Sequence, residues 1–185
     1  MCVLSLLDSI RYSAFIFIVL FSACAGRAQN KDSLIKSIRQ TFQQINNDKT
    51  LKSVELENED FMDEMTDGGG SLKGYFKGDT IRKIHLWIGL SFGVRQFDYY
   101  FDHGKLCFVY ETEEDFPYDD KSGTVNQGKL VPAFEGRYYI LNGKLLDAKL
   151  KGKRRANDET AATSLSNFNK DAVSYTKALR EHLKK

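Results

Sequence analysis

The sequence predicts an α+β domain, an antiparallel β-meander of about six or seven strands flanked by an N-terminal and a C-terminal amphipathic helix. Three observations predict it. Apolar residues recur with a period near 3.6 at both ends of the domain and near 2 through the middle. The middle divides into strand-length runs rich in aromatic and β-branched residues, separated by Gly, Asn and Asp. Only two prolines, Pro117 and Pro132, interrupt the chain, and both flank one long loop. Consecutive strands of this kind are expected to pair locally, with the two helices covering one face of the sheet.

The first 28 residues read as a leader, and the single domain is expected over 29–185. MCVLSLLDSIRY carries one Arg and runs into SAFIFIVLFSACA, apolar from Ala14 to Ala25. About 12 apolar residues suit a signal-peptide core and fall short of the roughly 20 that span a bilayer. Asp8 and Arg11 stop the run from extending backwards. Ala23-Cys24-Ala25 fits cleavage before Gly26, and Gly26-Arg27-Ala28 fits cleavage before Gln29. Leu20–Cys24, LFSAC, resembles the lipobox of bacterial lipoproteins, whose Cys becomes the lipidated first residue, although Phe21 stands where Leu, Val or Ile is usual. Simple secretion, lipidation at Cys24 and a retained anchor stay open. All three place the protein outside the cytoplasm, in the periplasm or outer envelope or in the medium.

Without the leader about 157 residues remain, enough to bury roughly 70% of the unfolded surface around one core. They carry 25 basic and 24 acidic residues, since the leader takes Arg11, Arg27 and Asp8. That balance gives no global pull towards nucleic acid. Cys2 and Cys24 fall in the leader, so Cys107 is the domain's one cysteine and cannot form an internal disulfide. A lone thiol in an oxidising compartment is expected in the core.

The first helix is NKDSLIKSIRQTFQQINND, with Asn30 or Asp32 as cap and Leu34, Ile35, Ile38, Phe42 and Ile45 on one stripe. From Ser53 the period becomes 2, with Val54 and Leu56 on one face and Glu55 and Glu57 on the other. An acidic loop leads to the triple glycine 68–70, read as a flexible break. SLKGYFK, TIRKIHLWI, VRQFDYYFD, KLCFVYET, FEGRYYIL and KLLDAKL follow as strands. The loop DFPYDDKSGTVNQGKLVP is long for a compact domain. Leu165, Phe168, Ala172, Tyr175, Leu179 and Leu183 mark the last helix, with Asp158 as a candidate cap.

YYFDHGKLCFVYE, Tyr99 to Glu111, crowds Asp102, His103, Lys105 and Cys107 together. A two-residue turn at His103-Gly104 pairs Asp102 with Lys105, Phe101 with Leu106, Tyr100 with Cys107 and Tyr99 with Phe108. About 10 Å of ladder then separates Cys107 from His103, too far for a nucleophile and its base. RYYILNGKLLD repeats the pattern around Asn142-Gly143, and GYFKGDTIRKI is a looser copy around Gly78-Asp79. Neither copy repeats Asp102, His103 or Cys107. The hairpin recurs and the reactive set does not. These Tyr-rich, Gly-Lys-Leu hairpins resemble the short hairpin repeats of MORN-type proteins over three segments without a fixed period, and the resemblance carries no functional residue across.

Acidic residues gather over Glu55–Asp67 and Glu111–Asp120 without the spacing of an EF-hand, and are expected on solvated faces and loops. The basic run Lys149–Arg155 has no interleaved aromatics for base stacking and is expected to be a hydrated loop before the last helix. Neither His85 nor His182 has a partner at metal-ligand spacing, and no cofactor motif is present. Trp87 sits in KIHLWIG, apolar on both faces. With Tyr100 and Tyr139 it forms a candidate ligand face.

The sequence therefore points to an exported binding or interaction module without catalytic, cofactor or metal residues. Its expected partner is an envelope protein or a small apolar or glycan-like molecule, not nucleic acid, with membrane contact only through lipid on Cys24. Two other readings stay open. One is a hydrolase using carboxylates from the two acidic loops, with Glu111 and Glu113, which share a strand face, as the first to test; the other is a carrier of a small apolar ligand between sheet and helices.

Overall fold

The computed structural model describes residues 30–62, 64–155 and 160–184, so the leader, Cys24 and the candidate cap Asp158 lie outside it. The chain divides into residues 1–37 and 38–185. Within the first unit, 30–37 are helical and Ile35 is buried. The second holds the end of that helix, the sheet and a second helix.

Helix α1 runs over 30–47, so Asn30 and Asp32 lie inside it rather than capping it. Strands β1 (Lys52–Glu57), β2 (Gly70–Lys77), β3 (Thr80–Leu90), β4 (Gly93–Asp102), β5 (Lys105–Asp115), β8 (Val131–Leu141) and β9 (Lys144–Gly152) form one seven-stranded sheet in that order. All its pairings are antiparallel. The long loop carries its own small ribbon, β6 (Tyr118–Asp119) on β7 (Thr124–Val125). Helix α2 (Ala161–His182) is capped by Thr160, whose side chain accepts a hydrogen bond from the Thr163 amide. The fold is the α+β meander that the periodicity predicts.

The helical elements do not share a face. Phe168, Ala172 and Leu179 of α2 pack with Leu72, Ile84, Tyr99, Val109 and Tyr138. On the reverse of the sheet, Phe42 stacks on Phe108 at 4.8 Å, and the Arg39 guanidinium lies over the Tyr139 ring. The sheet separates α2 from 38–47, because its strands are apolar on both faces at this end.

Three hairpins, β2–β3, β4–β5 and β8–β9, are built alike. Their tips place Gly78 at φ 56°, His103 and Gly104 at 47° and 76°, and Asn142 and Gly143 at 51° and 74°. Each then gains one extra residue at the same place. Phe76 pairs with Ile81 but Tyr75 with Lys83; Phe101 with Leu106 but Tyr100 with Phe108; Ile140 with Leu145 but Tyr139 with Asp147. Arg82, Cys107 and Leu146 are thus the bulged residues. This corrects the regular register expected for Cys107, since beyond the bulge Tyr99 faces Val109 rather than Phe108. A shift of one residue exchanges the faces of β5 beyond the bulge, which brings Phe108 beside Tyr100 on the side of 38–47 and turns Val109 to the side of α2.

The triple glycine is no flexible break. The Gly68 and Gly89 amides donate to the Gly89 and Gly69 carbonyls at 3.2 and 2.9 Å, and a Cβ on Gly68 would lie 2.7 Å from the Gly89 backbone. Glycine allows this close approach.

Candidate functional site

The expected ligand face is only partly accessible. Tyr100 and Tyr139 are buried, Tyr100 beside Phe42 and Tyr139 beneath Arg39, whose Nε donates to the Tyr139 hydroxyl at 3.1 Å. Both lie on the face of the sheet that 38–47 covers, so an open aromatic strip of Trp87, Tyr100 and Tyr139 does not exist. Trp87 is half-buried, four residues along β3 from the residue opposite Tyr100.

The cluster of Asp102, His103, Lys105 and Cys107 is a hairpin. His103 is 90% exposed at the tip and pairs with Asp102 at 2.9 Å. The Cys107 thiol is buried and donates to the Tyr100 carbonyl at 3.3 Å. Burial pushes its pKa up to about 12, so it is neither thiolate nor nucleophile at neutral pH.

A different pair does meet. His85 and Asp98, opposite each other on β3 and β4, bring Nδ1 within 2.8 Å of Oδ1. The other Asp98 oxygen takes Lys83 at 3.0 Å and the Tyr100 hydroxyl at 3.3 Å, and that hydroxyl also reaches Asn46 of α1 at 3.1 Å. Burial works to raise the Asp98 pKa; the His85 hydrogen bond and the Lys83 charge outweigh it and hold the carboxyl below its usual value. No hydroxyl or thiol bonds the His85 ring among the described residues. Sequence reasoning missed it by testing the histidines only for metal-ligand spacing. The cross-strand alternation around Ser91-Phe92 was the signal available.

Glu111 and Glu113, read as solvated, are both 0% exposed. Glu111 sits between two guanidiniums, with Arg95 at 3.0 Å from one oxygen and Arg154 at 2.5 Å from the other. The Tyr138 hydroxyl donates to it at 3.0 Å, and Arg154 also bonds Tyr138 and the buried Ser164 hydroxyl. Glu113 accepts from the Arg155 amide at 3.3 Å, and Arg155 pairs with Asp115 at 2.9 Å. The run read as a hydrated loop is β9 up to Gly152, followed by Arg154, which anchors α2. Both carboxylates are thus fully enclosed among these partners.

A further recess lies elsewhere. Helix α2 crosses the end of the sheet where the three hairpin tips stand. Asn169 donates to the Gly143 carbonyl and Arg180 to the Asp79 carbonyl, each at 3.5 Å. Between these two anchors the middle tip lines a groove of about 780 Å³. Ile81, Phe101, Leu106 and Ala172 make it apolar, and Val173, 73% exposed, stands in its helical wall. Lys105, Lys177, Arg180 and Lys184 also line it, against one acid, Glu181. Lys177 and Glu181 are 4.0 Å apart.

No family model matches the chain, nor does any curated protein or solved structure at a significant level. Among the described residues no helix is long and apolar enough to cross a membrane, and no three His, Cys, Asp or Glu residues gather to hold a metal ion.

Proposed function

We propose that the chain is an exported, non-catalytic binding module that takes a small ligand with an apolar body and an anionic head in the groove under α2. The observation that carries this reading is the pairing of an apolar lining with an excess of cations in one recess of about 780 Å³. Ligand sites are concave, mostly apolar and oriented by a few polar groups, and this groove has that composition. Arg180 and Lys177 meet the acidic head, while Phe101, Leu106 and Val173 take the chain. The leader supports export, and the envelope would supply such amphiphiles.

Titration with a fluorescent long-chain fatty acid and with its methyl ester tests the proposal. The acid is expected to bind at least tenfold more tightly than the ester. Combining Lys177→Glu with Arg180→Glu is expected to abolish that preference. Equal affinity for both probes, or an unchanged preference in the double variant, would refute it.

A further inference from the structure

We propose that the opposite face of the sheet carries a second site, for an uncharged polyhydroxylated ligand, a glycan chain laid across Trp87 and Tyr110. Residues 38–47 contact the end of this face near the tips, at Tyr100, Phe108 and Tyr139. Further along the strands two cross-strand rows follow on the same face. One runs Trp87, Gln96, Thr112 and Glu135; the other runs His85, Asp98, Tyr110 and Arg137. Trp87, Gln96, Thr112 and Tyr110 are all half-buried, held by neighbours with part of each side chain open. A cavity of about 380 Å³ adjoins Tyr110 and Thr112 at one end.

Charge decides the ligand class. Along these rows from β3 to β8, and on Lys73 beside His85, the ions pair with one another: Lys83 and His85 with Asp98, Lys73 with Glu55, and Arg137 with Glu135, while Lys151 and Lys149 extend the rows only at the β9 edge. The Tyr110 hydroxyl donates to Glu135 at 3.2 Å, which fixes the ring on the sheet. An anion would have to break these pairs, whereas hydroxyls join them as donors and acceptors. The aromatic rings supply the apolar surface that the C–H faces of a sugar need. Two strand spacings and one two-residue step put Trp87 and Tyr110 roughly 12 Å apart, a span for an oligosaccharide rather than a single ring. The face thus differs in kind from the cationic groove behind it.

Trp87 is the only tryptophan in the chain, so intrinsic fluorescence reads this face alone. The full chain is applied to an array of neutral and acidic glycans, and retained glycans are titrated against tryptophan emission. Neutral oligosaccharides are expected to be retained and to shift the emission. Tyr110→Ala and Gln96→Ala, with circular dichroism matching the parent, are each expected to weaken binding at least tenfold. Arg180→Glu, in the groove, is expected to leave it unchanged. Retention of no neutral glycan, binding confined to acidic glycans, or affinity unaltered by Tyr110→Ala and Gln96→Ala would each overturn the assignment.

Discussion

Arg154 places its guanidinium on the buried carboxylate of Glu111, 43 residues earlier in the chain, and so ties the start of α2 to the middle of the sheet. Removing one member of a buried pair strands the other charge, at a cost of about 3–5 kcal/mol. Glu111→Gln is expected to destabilise by that amount in urea denaturation. Glu113→Gln is expected to cost less than about 1 kcal/mol, because Oε2 of Glu113 has no hydrogen-bond partner among the described residues and no guanidinium is stranded.

Gly74 leaves the space that Leu179 fills. A Cβ on Gly74 would lie 2.7 Å from Leu179 Cδ1, and Leu179 is fully buried. Leu179→Ala is expected to cost about 2–5 kcal/mol through the cavity it opens. Gly74→Ala is expected to destabilise alone and to recover part of the loss when combined with Leu179→Ala. A double-mutant cycle measures that coupling.

His103 holds φ at 47° without being glycine. Asn tolerates this region and β-branched residues do not. His103→Asn is therefore expected to leave stability unchanged or raise it slightly, and His103→Val to lower it by about 1–2 kcal/mol. Thermal melting of the two variants checks this.

Asp98 governs part of the acid limb of stability. Its pKa in the fold lies below the free value of 3.8, so its contribution is complete above about pH 4 and is lost as pH falls through the lower folded value. Asp98→Asn is expected to be less stable than the parent at neutral pH and to lose less stability on acidification. Urea midpoints taken from neutral pH down to about pH 2 report the difference.

The Cys107 thiol is shielded both by burial and by its raised pKa of about 12. Alkylation at neutral pH, followed by peptide mapping, is expected to leave Cys107 unlabelled in the folded protein and to label it fully in denaturant.

The elements were legible where local chemistry decides them. His103-Gly104 and Asn142-Gly143 announce turns because few residue pairs accept two positive φ angles. The bulges were not legible, because Arg82, Cys107 and Leu146 are ordinary strand residues and the displacement is a backbone event. One missed shift reversed the faces assigned to Phe108, Val109 and Tyr110, whereas the ligand face failed because 38–47 covers Tyr100 and Tyr139. Amphipathic stripes likewise say that a helix is covered and not by which side of the sheet. Arg154 escaped notice because a basic run reads as solvated until a distant buried acid is known. Trp87 was picked out from its apolar surroundings, whereas Tyr110, its companion across two strands, depended on the register.

Each hairpin carries its own reversal and its own displaced residue, so its shape is independent of its place in the sheet. Copying the β8–β9 segment of the gene would broaden the sheet at the β9 edge by two strands, about 10 Å, while every older pairing stayed as it was. The architecture can thus grow by duplication without being redesigned.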